Sequence, residues 1–376
     1  MNARMPSVVV LAALAACSAR AASPGEGAAP PPTRPAAAEP PAAPPSKDRA
    51  SDRARERMHD PSTIVRCAGE YWVFSTGTGI QSWRSKDLIA WTPGPRVFAA
   101  APAWVREFLP GHRGHFWAPD VILLDGRYLL YYSVSTWGKN TSAIALAVTP
   151  ALDPADPRFG WKDAGIVIRS SPADDFNAID PSVVLDADNR LWLAFGSFWS
   201  GIKLVELDRA SGLRAAPGGP VHALAAHREI EAPCIVARGG EYYLFVNWGL
   251  CCRGVRSTYV IVVGRSPDIT GPYLDRAGRD LRDDGGSLFL DRADRFIGPG
   301  HAGVLQAQGS TYLSYHFYDA SRDGLPSLAV RTLSWDADGW PVAGPMISPP
   351  AATPAAPAAP ENPAPTSGRS SEDPRP

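Results

Sequence analysis

The sequence is short of net charge, of long apolar runs, of helical periodicity and of paired metal-binding side chains. Its 37 Lys and Arg against 38 Asp and Glu leave a formal charge of −1. Without a basic excess to hold a polyanion, nucleic acid is not an expected partner. The apolar run from Val8 to Ala16 falls well short of the roughly 20 residues a membrane-spanning helix needs. No long stretch repeats apolar residues at 3, 4 and 7 spacing, so helices are not expected, whereas turn residues recur about every ten positions. There are five cysteines, and no second close Cys or His pair stands beside Cys251-Cys252 to complete a zinc site.

Proline and glycine, by contrast, are plentiful, at 39 and 34 residues. Much of the proline lies in two Pro/Ala-rich segments, 22–57 and 347–376. Such segments carry too little large apolar side chain to offset the entropy of ordering, and are expected to be a linker and a tail. The folded part is then about 58–346, one domain. Residues 1–21 have an early Arg, a short apolar run and then small residues, the layout of an export signal. Leu14-Ala15-Ala16-Cys17 also resembles the bacterial lipobox, which would end the signal at residue 16 and put a lipid on Cys17. Either processing predicts a protein outside the cytoplasm, secreted, periplasmic or lipid-anchored, that meets a membrane only through that lipid. A monomer is expected.

Five segments resemble one another. They begin "HDPSTIVRCAGEYWVFST" at His59, "WAPDVILLDGRYLLYYSVS" at Trp117, "IDPSVVLDADNRLWLAFGS" at Ile179, "EAPCIVARGGEYYLFVNWG" at Glu231 and "GHAGVLQAQGSTYLSYHFY" at Gly300. Each reads as an apolar strand, a turn rich in Gly, Asp or Asn, and a second strand bearing Tyr or Trp. Pro61, Pro119, Pro181 and Pro233, with Ala302 in the fifth place, anchor repeats of about 50 to 70 residues, the scale of propeller blades. Strand-like runs downstream, such as "SAIALAVTP" and "STYVIVVGRS", bring each unit to about four strands. The prediction is an all-β, five-bladed β-propeller; seven blades would need more chain, and a two-sheet sandwich would not explain five matching units.

In a propeller the starts of the innermost strands converge on the central channel. The residues beside the anchors there include Asp60, Asp180, Glu231 and His301. One Asp-Pro is an ordinary turn device. Three acids at equivalent blade positions instead predict a site in which neighbouring carboxyls drive each other's pKa apart, as acid/base chemistry requires.

The ordered set "HDPS" at 59–62, "FWAPD" at 116–120, "AIDPS" at 178–182, "GSFWSGI" at 196–202, "IEAP" at 230–233, "CCRGVRSTY" at 251–259 and "GPGHAG" at 298–303 resembles glycoside hydrolase family 43. Within it, the bacterial arabinan endo-1,5-α-L-arabinosidases are the most similar branch. The resemblance spans nearly all of 58–346. It implies an inverting glycosidase acting on arabinan in pectic side chains, with Asp60 as general base, Glu231 as general acid and Asp180 orienting the acid and tuning its pKa. An inverting pair stands about 6.5–9.5 Å apart, leaving room for a water; an ionised Asp180 would keep Glu231 protonated. In the resembling enzymes the histidine at the place of His301 faces a central ion, usually assigned as calcium, which implies a largely water-ligated ion here, since imidazole suits a hard ion poorly. No organic cofactor is implied. The same family holds exo-acting α-L-arabinofuranosidases and β-xylosidases, and a propeller that binds carbohydrate without turnover is the reading from another class, disfavoured by the three acids.

Furanose rings need flat apolar faces and groups for their hydroxyls. Phe116, Trp117 and Trp199 are the candidate platforms, with Asn177, Ser197 and Ser200 as hydrogen-bonding partners. Asp120 reads as structural or supporting. With Cys17 set aside, Cys67, Cys234, Cys251 and Cys252 allow three pairings, and the sequence does not choose among them. Neighbouring Cys251 and Cys252 can close only a tight ring.

Overall fold

A computed structural model describes residues 57–348; the export signal, Cys17, the linker up to residue 56 and the tail from residue 349 lie outside the described residues. The chain runs through five antiparallel sheets, each built from consecutive strands. Blade one comprises Val65–Cys67, Glu70–Ser75, Gln81–Ser85 and Thr92–Pro93, and blade two His115–Leu124, Arg127–Val134, Ser142–Thr149 and Lys162–Ser170. Blade three is Ser182–Leu185, Leu191–Phe195, Ile202–Leu207 and His222–Ala225; blade four Ile230–Arg238, Glu241–Trp248, Val260–Ser266 and Ser287–Leu290; blade five Phe296–Ala307, Ser310–Asp319, Leu325–Trp335 and Pro341–Met346. The small strand Gly77–Thr78 adds to the inner edge of blade two. A short helix, Ala103–Phe108, sits between blades one and two around buried Val105. At about a turn and a half it is too short to leave a 3.6-residue period in the sequence.

Turn chemistry sets the first hairpin of each blade. Ala68-Gly69, Asp125-Gly126, Gly239-Gly240 and Gln308-Gly309 are two-residue turns with both φ positive, the form whose twist matches paired strands. Blade three uses the longer Asp186–Arg190 turn, in which Asp186 Oδ1 accepts the N–H groups of Asp188 and Arg190.

Five apolar clusters fill the five gaps between neighbouring blades. Trp72 and Phe74 pack with Phe116 and Leu130, Leu129 and Ile144 with Leu193 and Phe195, and Ala194 and Leu204 with Leu244 and Val246. Phe245 and Ile261 pack with Leu313 and Tyr315. Ile64, Val73 and Trp83 meet Leu305 and Val330 in the last gap, so blade five closes on blade one by side-chain burial. Each fully buried large side chain contributes roughly 1.5–3 kcal/mol.

One backbone feature recurs in every blade. Asp60, Ala118, Asp180, Ala232 and His301, the residues before the anchors, all have φ between 44° and 60°. This left-handed conformation costs a non-glycine residue about 1–2 kcal/mol. Where the innermost strand extends through the anchor, in blades two, four and five, the pairing slips between Trp117 and Asp120, Glu231 and Cys234, and Gly300 and Gly303. Such bulges bend a strand and redirect its side chains, and here they direct the anchor residues at the axis.

Candidate active site

The starts of the innermost strands of blades one to four reach a cavity of about 890 Å³, walled by Asp60, Asp180 and Glu231 together with Trp117, Asn177, Ser197 and Trp199. The three acids expected to converge do so. Two of the expected sugar contacts do not. Phe116 is fully buried, packed against Phe98 and Tyr132 in the gap between blades one and two, because side chains alternate along a strand and Trp117 takes the channel side. Ser200 is absent from the wall: its backbone N–H is held by Asp175 O and its carbonyl by Lys203 Nζ, and its hydroxyl is buried.

Asp60 is the most heavily bonded acid. Its Oδ2 lies 2.8 Å from His59 Nδ1 and accepts the Thr76 hydroxyl at 2.5 Å. Its Oδ1 lies 3.5 Å from His316 Nδ1 and 3.8 Å from His301 Nδ1. Burial by itself would raise its pKa, but the bond to His59 and the charges of His59, His301 and His316 outweigh this and hold the carboxyl well below the usual range. Asp60 is therefore ionised throughout the neutral range. Thr76 is fixed in turn by the Ala118 N–H, 2.8 Å from its hydroxyl.

Glu231 has the opposite setting. Its Oε2 accepts the Ser197 hydroxyl at 2.7 Å, and its Oε1 accepts the Tyr259 hydroxyl. Burial, reinforced by the charge of Asp60 and opposed by the Ser197 bond, pushes its pKa up to about 7. Asp180 also rises, through burial first and then the charges of Glu231 and Asp60. The Ala232 N–H, next to Glu231, donates to Asp180.

Asn177 is buried in the wall with its Oδ1 taken by the Ser142 hydroxyl. Ser197 serves the acid rather than standing free for a sugar. Trp199 is 47% exposed, and Trp137, which the repeats did not single out, is 71% exposed and meets Trp117 edge to face at 6.4 Å. Asp120 bridges blades instead of entering the cavity, accepting the N–H of Thr63 and of Val183 at 2.9 Å each.

His301 is buried beside Asp60, its N–H held by Asn247 Oδ1. Among the described residues, the group whose ligand atoms lie within 4.8 Å of one another is His59, Asp60 and His316, without His301. That set offers imidazoles and one carboxylate, whereas calcium takes six to eight oxygens. The donors fit such an ion only through water.

The family model of glycosyl hydrolases family 43 matches residues 54–341. The chain belongs to glycosyl hydrolase family 43. It is 43% identical over 298 residues to an extracellular exo-α-(1→5)-L-arabinofuranosidase of Cellvibrio japonicus, covering 76% of this chain and 85% of that one. It is 39% identical over 296 residues to an extracellular endo-α-(1→5)-L-arabinanase of Bacillus subtilis, covering 77% and 88%. Among solved structures, an α-L-arabinanase of Cellvibrio cellulosa aligns with a TM-score of 0.74 at 42% identity, over 76% of this chain and 95% of that one.

For this family 43 hydrolase the site residues missed in the sequence are Thr76, Thr136, Trp137, Tyr259 and His316. A signal for two of them exists: Ser75-Thr76 and Ser135-Thr136 close the second strands of blades one and two, and both threonines reach the cavity wall. The cysteine pairing is also settled. Cys251 and Cys252 are joined, and Cys67 and Cys234 are free thiols.

Proposed function

We propose that this enzyme hydrolyses internal α-1,5-L-arabinofuranosidic bonds of arabinan with inversion. One arrangement carries the reading: two carboxyls share one aromatic-walled cavity, Asp60 bonded by His59 and Thr76, which favours its charge, and Glu231 buried beside Ser197 with its pKa pushed up to about 7. Asp60 takes a proton from the attacking water, Glu231 gives its proton to the leaving oxygen, and Asp180 exchanges charge with Glu231 as that proton leaves. Trp117, Trp137 and Trp199 supply faces for the furanose rings. A hard ion, when bound, would supply positive charge near Asp60, with His301 facing it through water.

The relatives named for arabinan, endo-acting and exo-acting, support the substrate; the exo name at 43% identity keeps release from a chain end as a second reading. Product sizes from linear arabinan separate the two: a ladder of oligomers at early times supports internal cleavage, and a single short product overturns it. Arabinoxylan and chromogenic arabinosides serve as the competing substrates, and an NMR time course with the retained anomer first would exclude inversion. We further infer export, which the extracellular relatives support, and a lipid on Cys17. Intact mass and membrane fractionation of Cys17→Ser against the wild type test it, and a wholly soluble wild type would overturn the anchor.

A further inference from the structure

The bond network around Asp60 continues past His59 into a second blade and a third. His59 Nδ1 faces Asp60 Oδ2 at 2.8 Å, and His59 Nε2 lies 2.8 Å from the hydroxyl of Tyr318. The backbone N–H of Cys252 donates to that same hydroxyl at 2.7 Å. An N–H cannot accept, so Cys252 donates to the Tyr318 oxygen, and the direction of the next bond follows the His59 tautomer: with the proton on Nδ1, facing Asp60, Nε2 is the acceptor. The Tyr318 proton then goes to His59 Nε2, and the Nδ1 proton goes to Asp60. His59 and Tyr318 are 4% and 2% exposed, and His316 stacks on the His59 ring at 4.2 Å, so neither side chain has another rotamer to visit.

Cys252 differs from these two. It is exposed, it lines the cavity, and its φ is +66°, a backbone setting that a cysteine seldom holds unaided. Its sulfur is bonded to Cys251 and lies 3.9 Å from His59 Nε2. The rest of the loop is tied at its ends, through Gly249 N–H to Glu229 O, the Leu250–Thr258 pair, and Arg253 N–H to the Ser257 hydroxyl. Between those ties, the peptide joining the two cysteines is held by their closed ring and by the bond from its N–H to Tyr318.

We propose that Tyr318 is a positioning residue for Asp60, acting through His59, and that the Cys251–Cys252 disulfide holds it in place, so that turnover depends on the redox state of this pair. The proposal rests on Asp60 acting as the base. Reduction breaks the S–S bond and forms two thiols. The two electrons and two protons come from a dithiol, which itself closes to a disulfide. The peptide then leaves its left-handed setting, Tyr318 loses its donor, and His59 no longer fixes the Asp60 carboxylate toward the water. The effect falls on the catalytic step rather than on sugar binding.

The test compares wild type, Tyr318→Phe and Cys251→Ala/Cys252→Ala on linear arabinan, before and after dithiothreitol, with thiol counts and thermal unfolding of each. Reduction should add two titratable thiols and lower the wild-type kcat about 3–10-fold, the scale of one lost hydrogen bond, with KM changed less than about twofold. Tyr318→Phe should start at that lower kcat and not respond to reduction, and the double variant should match it. A change in KM alone, an unchanged kcat, or the same fractional loss in Tyr318→Phe as in wild type would overturn the proposal. Asp60→Ala measured alongside separates the two ideas: if it keeps near-full turnover, the base assignment fails, whatever the redox response.

Discussion

Asp60 and Glu231 are both carboxyls in one cavity, and their surroundings drive them apart. Around Asp60 stand imidazoles and a threonine that favour charge; around Glu231 burial and the Asp60 charge favour the proton. Asp60→Ala and Glu231→Ala should each lower kcat about 10²–10⁴-fold with unchanged far-UV circular dichroism, since both side chains line a channel and not a packed gap. An aryl arabinoside whose leaving group needs no proton should recover much of the loss in Glu231→Ala and none in Asp60→Ala. Glu231 works as an acid only while protonated, so kcat should hold below its pKa and fall as pH rises through about 7. The Ser197 hydroxyl lowers that pKa by bonding the carboxylate; Ser197→Ala should move the alkaline limb of the pH–rate profile upward. A downward shift would contradict the assignment of the limb to Glu231.

At the scale of the strand, the left-handed residue before each anchor, with a bulge in blades two, four and five, and the turn before each second strand carry the design. The left-handed setting lies at Asp60 and Asp180 themselves and at Ala232 beside Glu231, and all three acids wall the cavity. At Ala118 that setting is maintained without chemistry. Ala118→Gly should therefore change stability by less than about 0.5 kcal/mol, because relief of the positive φ offsets the added freedom of the unfolded chain. Asp120 works between strands, tying Thr63 of blade one and Val183 of blade three to blade two. Asp120→Ala strands two N–H groups, each costing about 1–3 kcal/mol where burial keeps water away. The urea midpoint should drop accordingly, and an unchanged midpoint would mean that water replaces the carboxylate.

The described residues form a ring of five blades in which, among those residues, no strand is borrowed to close the circle; the blade-five-to-one gap is held by apolar packing and a bond from Met58 N–H to Pro326 O. Leu305→Ala in that gap should cost about 2–5 kcal/mol. Opening one gap exposes the sides of both neighbouring blades, so loss of activity and loss of circular dichroism should follow one transition in urea; separate transitions would show blades unfolding independently.

The sequence alone determined the number of blades, the strand pairs and the three acids. Each of these is local: a period of strands and turns, and an acid at a fixed offset from a proline. It also singled out Trp117 and Trp199, which line the cavity. It could not separate Phe116 from Trp117, because the face of a strand that meets the channel depends on where the bulge falls. Nor could it find Tyr259 beside Glu231 or Tyr318 beside His59, which lie 28 and 259 residues apart in sequence. Tyr259 meets Glu231 across the folded strands of blade four, whereas Tyr318 of blade five meets His59 of blade one only once the ring closes. The protonation states were decided there too, since burial and the approach of neighbouring charges are properties of the assembled channel and not of any one blade.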